Sequence, residues 1–263
     1  MKNRGSSKGN QSKWLDGEYW YKIDYLGYEG LSEYVVSHLL DKTNVKNYVK
    51  YELDITEKNK MPLLGCKSKN FLSDNQNILT LTKLFRVYKN IDIFDECERI
   101  DWTESDCISF VADTVKDITG LDEFGEYLTL LLEMDYFFYN DDRHFNNIAV
   151  IYNRDTDGFS YCPIFDNGAA LFSDIKMSYP LTMSIDECID VVKAKPFSPC
   201  FEDQVSAARE VYGRQFSHKI TEHDLEEVIK NVRKYGLYSK EIVDRVEAVI
   251  KKRLSSTFNI FWG

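Results

Sequence analysis

One stretch limits this chain more than any other. Asn140-Asp141-Asp142-Arg143-His144-Phe145-Asn146-Asn147 is polar and shows no apolar period, so it reads as a loop. Before it, residues 121–139 read as a helix with Leu128 to Leu132 well buried. After it, Ile148 to Tyr152 reads as a strand, Asp155-Thr156-Asp157-Gly158 as a hairpin turn, and Phe159 to Phe165 as the return strand. The return strand runs into Asp166-Asn167-Gly168. Helix, loop and hairpin together bring the carboxylates of Asp142 and Asp166 to the carboxamide of Asn147. Phosphoryl transfer calls for that set. One carboxylate accepts or orients the proton of a substrate hydroxyl, while a second carboxylate and an Asn carbonyl hold magnesium on the phosphates. Two adjacent aspartates alone are ordinary turn residues; the joint pattern carries the argument.

Composition narrows the class. The 263 residues hold 33 Lys and Arg against 43 Asp and Glu, a net charge of −10, with 43% hydrophobic residues, which is globular rather than disordered or fibrous. The acidic balance argues against nucleic acid as a direct partner, since a phosphate-tracking protein carries a basic face. A nucleotide remains open, because ATP with magnesium needs only a few local donors. The most apolar stretch is broken by Glu133 and Asp135, too short and charged for a bilayer, so no membrane is expected. The start lacks the apolar run of a signal peptide. Cysteines 66, 97, 107, 162, 188 and 200 form no C-x-x-C pair and read as reduced, mostly buried thiols of a cytoplasmic protein.

The rest of the chain divides by period. Residues 1–13 are polar and rich in Gly, Ser and Lys. A hairpin follows from Trp14 to Tyr25, turning at Asp16-Gly17 and carrying Lys22 on its second strand. A helix is expected over 31–42, strands over Lys46 to Ile55 and Leu63 to Phe71, and a short helix over 78–88. Residues 91–108 are acidic and mixed; 108–118 reads as helix. Beyond 183 the chain is mainly helical, with Thr221 and Ser239 as N-caps of helices near 222–234 and 240–256. His218 and His223 are placed on the surface. The outline is α+β and bilobal: a small β-rich N-lobe with one helix, residues 1–75, and a larger helical C-lobe, residues 76–263.

D-x-H-x-x-N, a hairpin and D-x-G resemble the protein-kinase-like superfamily, and within it the HipA-like bacterial kinases. D-R-H-x-x-N is also similar to phosphoinositide kinases. The resemblance implies that Asp142 is the catalytic carboxylate, that Asn147 and Asp166 are magnesium ligands, and that His144 braces the loop on the hairpin or a backbone carbonyl. Gly5 to Lys13 resembles the HipA-like G-x-Q-x-K phosphate loop, which implies nucleotide contacts from Ser6, Ser7, Lys8, Gly9, Asn10, Gln11 and Ser12. Lys22 is then the phosphate-pairing lysine, Glu33 its ion-pair partner and Glu29 the fallback. Gly65 to Phe71 leads to the hinge where adenine sits. Asn167 stands where eukaryotic kinases have Phe, which argues against a Phe-driven switch. HipA-like proteins often carry an extra subdomain ahead of the phosphate loop; here that loop begins almost at Met1, so a minimal kinase core is expected.

The resemblance implies an ATP- and magnesium-dependent kinase acting on Ser or Thr hydroxyls of a protein substrate, the toxin of a toxin–antitoxin pair with an antitoxin protein as partner. Two alternatives belong to other classes. One is a nucleotide-binding, pseudokinase-like interaction module, disfavoured because every catalytic position is filled. The other is a phosphoinositide-type lipid kinase, disfavoured by the acidic charge and the lack of a basic membrane-binding helix.

Overall fold

The computed structural model describes residues 11–58, 61–99 and 101–255. Strands β1 (Lys13–Asp16) and β2 (Tyr19–Ile23) form the expected hairpin, with Asp16 paired to Tyr19. The two-residue loop between them opens on Gly17 at φ +56°, the conformation such a tight turn needs and only glycine adopts freely. Helix α1 spans Glu29–Leu39, two residues ahead of the expected start. Strands β3 (Tyr51–Lys58) and β4 (Met61–Lys69) complete an antiparallel sheet in the order β1-β2-β4-β3, and α1 packs against β3 and β4.

A second sheet corrects the reading of the next segment. The helix expected over 78–88 is strand β5 (Gln76–Thr80) followed by helix α2 (Leu81–Lys89). β5 pairs antiparallel with β6 (Ala149–Asn153), which pairs in turn with β7 (Gly158–Tyr161). The Thr80 hydroxyl accepts from the Lys83 N–H and opens α2 at the strand's end. β3 likewise starts later than expected, and the return strand β7 ends at Tyr161, short of the expected Phe165; beyond it Ile164 makes only an isolated parallel bridge to Tyr48, its N–H donating to the Asn47 carbonyl and its carbonyl accepting from the Val49 N–H.

Helices α3 (Ile93–Cys97), α4 (Glu104–Thr119), α5 (Phe124–Phe138), α6 (Ile185–Val191), α7 (Phe201–Tyr212), α8 (Glu222–Tyr235) and α9 (Lys240–Ser255) make up the rest. Their ends follow local chemistry. Thr103 with Asp106, Ser184 with Glu187 and Thr221 with Asp224 are capping boxes, and Gly120 and Gly236 close α4 and α8 in the left-handed conformation. Ser239 Oγ accepts from the Ile242 N–H at the start of α9, as its sequence position suggested. α5 is the spine of the core: Leu128, Leu131, Leu132, Phe137 and Phe138 are all buried. Cys97 and Cys107 are joined by a disulfide, which corrects the all-thiol reading; α3 and α4 bring their Cα atoms to 5.4 Å. Cys66, Cys162 and Cys188 are buried thiols. His218 is corrected too: it is half-buried, its ring 4.7 Å from that of Phe137. No helix among the described residues is long and apolar enough to cross a membrane.

The link from β2 to α1 holds an unusual acid. Asp24 accepts from the Gly30 N–H at 2.6 Å and from the Tyr238 hydroxyl at 2.8 Å. Burial pushes its carboxyl up to about 7, more than these two donors pull it down. The folded state therefore holds this proton more tightly than the unfolded chain. Stability should fall as pH rises from about 4 to about 7, by on the order of 4 kcal/mol. Asp24→Asn keeps the polar contacts without the charge. Urea titrations should find wild type and variant alike at pH 4, with the variant more stable at pH 8; equal stability at both pH values would remove this account of Asp24.

Candidate active site

β2, α1 and the irregular stretch after β7 place the first part of the site. Lys22 Nζ lies 2.6 Å from Glu33 Oε1 and 2.6 Å from Asp166 Oδ1, tying three elements distant in sequence at one ammonium. Two glycines allow these approaches: a Cβ at Gly30 of α1 would stand 2.6 Å from the Gly65 carbonyl carbon of β4, and one at Gly65 would stand 1.9 Å from the Lys22 carbonyl oxygen of β2. Glu33 is fully buried, and its other oxygen accepts from the Asn167 N–H at 2.9 Å. Glu29 is occupied otherwise: it accepts from the N–H groups of Tyr25, Leu26 and Gly27 and holds the turn before α1.

Electrostatics follow from that geometry. Burial alone would raise the Asp166 carboxyl, but Lys22 at contact distance outweighs it, with Lys13 and Arg143 behind, and holds it at about 2. For Lys22 burial works against the charge, and Asp166 and Glu33 overcome it, raising the ammonium well above its ordinary value. Complete burial pushes Glu33 up, with Lys22 opposing. Asp166 takes φ +63°, a strained conformation for any residue with a side chain.

The loop between α5 and β6 supplies the second part. Asn147 Nδ2 donates to the Asp142 carbonyl at 3.0 Å, so its Oδ1 is the atom left to face a cation. His144 makes a contact other than the expected backbone carbonyl: its Nδ1 accepts from the Asn146 N–H of the same loop at 3.2 Å. That bond assigns the neutral tautomer, with the proton on Nε2, 4.0 Å from Asp142 Oδ2. Burial lowers the His144 pKa, with Asp142 opposing.

Three residues that the sequence reading did not single out hold or complete this arrangement. Arg143 is fully buried; it forks onto Asp135 at 2.7 and 3.0 Å and donates to the carbonyls of Phe165 and Asn147 and to Asn167 Oδ1. The Tyr179 hydroxyl donates to Asp141 Oδ2 at 2.6 Å, and Lys195 donates to Asp142 Oδ1 at 2.8 Å. D-R-H was a visible motif, but nothing local in the sequence points to Tyr179 or Lys195.

A cavity of about 230 Å³ joins these parts, lined by Gln11, Lys13, Lys22, Asp142, Asn147 and Asp166 among others. Its walls are mostly polar and charged, which suits a polyphosphate better than an apolar ligand. Gln11 Nε2 is a buried donor with no hydrogen-bond partner among the described residues. Of the expected phosphate loop, Ser6, Ser7, Lys8, Gly9 and Asn10 lie outside the described residues. Ser12 is exposed and does not line the cavity, because Gln11 and Lys13, two apart in extended chain, share the other face. Asn147 and Asp166 offer hard oxygen donors, one a permanent anion, which fits magnesium shared with phosphates rather than a cage made by protein alone. Among the described residues no group of three His, Cys, Asp or Glu could hold a metal unaided.

No protein-family model matches the chain, and no curated protein matches it. Solved structures do. The crystal structure of the Helicobacter pylori proinflammatory kinase CtkA matches with a TM-score of 0.63, over 94% of this chain and 90% of that one, at 17% sequence identity. The fold is therefore α+β and protein-kinase-like, an N-terminal antiparallel sheet with one helix followed by a mainly helical part.

Proposed function

We propose that this chain is an ATP- and magnesium-dependent phosphotransferase and, more narrowly, a HipA-like serine/threonine protein kinase. The observation that carries the reading is the meeting at one cavity of Lys22, bound to Glu33 and Asp166, with Asp142 and Asn147. In this reading residues 1–75 form the nucleotide-covering lobe and 76–263 the lobe that carries the acceptor side. The structurally similar CtkA is described as a kinase, which favours the same reaction class here. The protein acceptor and an antitoxin partner rest on the HipA-like motifs alone.

Asn147 and Asp166 would hold magnesium, which when bound would supply positive charge to the transferring phosphates. Lys22 and Lys13 pair with phosphate oxygens, and Gln11 Nε2 donates to one. Asp142 accepts the hydrogen bond of the acceptor hydroxyl, aims its oxygen at phosphorus and takes its proton. Most of the acceleration comes from positioning and preorganised charge.

The test is incubation with γ-labelled ATP and magnesium, alone and with bacterial lysate, beside Asp142→Asn. Label should appear on protein and fall by at least about 1,000-fold in the variant, with ATP affinity preserved. Near-normal transfer by Asp142→Asn would remove its role. Label in extracted lipid instead would move the acceptor to a phosphoinositide-type headgroup. ATP binding without any transfer would leave a binding module.

A further inference from the structure

Asp142 has a partner that the mechanism above does not use. Lys195, 53 residues downstream, lies on the stretch between α6 and α7, and its ammonium donates to Asp142 Oδ1 at 2.8 Å. The stretch is braced. The Ala194 N–H donates to the Pro199 carbonyl at 2.9 Å, and the Phe197 ring meets that of Phe145, in the same loop as Asp142, edge-on at 5.5 Å. Asp142 keeps 10% of its side chain exposed and Lys195 keeps 41%. Asp142 is thus buried while the lysine that meets it stays largely in water, so an exposed ammonium is set against the proposed catalytic carboxylate.

The other cations of the site belong to the nucleotide side. Lys13 and Lys22 come from the N-terminal sheet, and Lys22 is already bound to two carboxylates. Lys195 comes from the helical part and reaches Asp142 from beyond the cavity lining. A hydroxyl hydrogen-bonded to Asp142 lies about 2.7 Å from the carboxylate. A phosphoryl group arriving on that hydroxyl then lies within reach of the same ammonium. One of the three ammonium protons serves Asp142, and two remain for phosphoryl oxygens.

We infer that Lys195 is a catalytic residue of the acceptor side, orienting Asp142 in the resting site and pairing with the oxygens of the phosphoryl group in flight. The inference rests on the phosphoryl-transfer reading. In the step itself, the bond from the γ-phosphorus to the bridging oxygen breaks and leaves ADP. The bond from phosphorus to the acceptor oxygen forms, and the acceptor proton passes to Asp142. Lys195 keeps all its protons and contributes charge, where removing a single such donor typically slows an enzyme by about 100-fold or more.

The experiment measures binding of magnesium ADP, alone and with aluminium fluoride as a planar mimic of the phosphoryl in flight, to wild type, Lys195→Met and Lys195→Arg. Wild type should bind the fluoride complex more tightly than ADP alone. Lys195→Met should lose about 100-fold of that affinity with ADP affinity unchanged, and Lys195→Arg should recover much of it. A kinetic companion should show the loss in kcat and not in the KM for ATP. If Lys195→Met binds the fluoride complex as wild type does, the inference is overturned and the kinase reading stands. Equal losses for ADP and the fluoride complex would make Lys195 a support of the fold of the site and also overturn it. Failure of wild type to bind nucleotide at all would overturn both.

Discussion

Arg143→Met should destabilise the protein by about 3–5 kcal/mol, the largest stability effect expected of any single substitution near the site. The side chain has no exposed surface, and neither has its partner Asp135. In the native state Asp135 bears opposed influences. Burial pushes its carboxyl up, while the fork of Arg143 and the Asn140 amide favour the charge. Without the guanidinium a buried carboxylate keeps Asn140 as its one side-chain donor among the described residues, at a cost several times that of losing a surface pair. Against a typical total of about 5–15 kcal/mol, much of the folded margin would go. Arg143→Lys should rescue little, because an ammonium cannot match the fork. Combining Arg143→Met with Asp135→Leu should recover part of the loss by removing the stranded charge. Recovery should be incomplete, since the carbonyls of Phe165 and Asn147 and the Asn167 carboxamide stay without their donor. Urea unfolding of the four proteins measures this directly. A loss under about 1 kcal/mol for Arg143→Met would mean that the guanidinium network contributes little.

The same network explains how much of the site could be read in advance. Loop, hairpin and D-x-G were legible because turn residues and alternation are local signals, and so were the caps Thr221 and Ser239. The preference for Glu33 over Glu29 came from the family resemblance, and the geometry gives a physical reason for it: Glu29 is spent on three backbone N–H groups, while Glu33 meets Lys22 of the sheet. β5 was not legible. Ile78 and Leu79 suit a strand or a helix equally, and only the open edge of β6 decides between them. Arg143 looked like a loop residue because its role is set by groups 8 to 24 residues away. Lys195 lay beyond reach for the same reason, and so did the Cys97–Cys107 bond, which depends on how α3 and α4 meet.

Asp166→Ala should abolish the magnesium dependence of nucleotide binding, the largest functional effect expected after loss of Asp142. Asp166 is ionised well below neutrality, held at about 2 against burial by Lys22. At physiological pH it presents a full negative charge to a cation, which an Asn carbonyl alone does not replace. Removing a supporting contact around a bound metal costs about 10–100-fold in affinity, so removing a ligand should cost at least about 100-fold. One complication needs its own control. Asp166 also neutralises Lys22, so the variant leaves that ammonium to Glu33 alone. Lys22→Met separates the two roles. It should weaken ATP binding with and without magnesium by a similar factor, because it removes a phosphate contact and leaves both proposed magnesium ligands in place. Calorimetric titration of ATP into each protein, in magnesium and in EDTA, gives the comparison. Wild type should bind far more tightly in magnesium, Lys22→Met should keep that ratio, and Asp166→Ala should bring it close to one. If Asp166→Ala retained the wild-type ratio, Asp166 would not be a magnesium ligand and the metal would have to sit elsewhere.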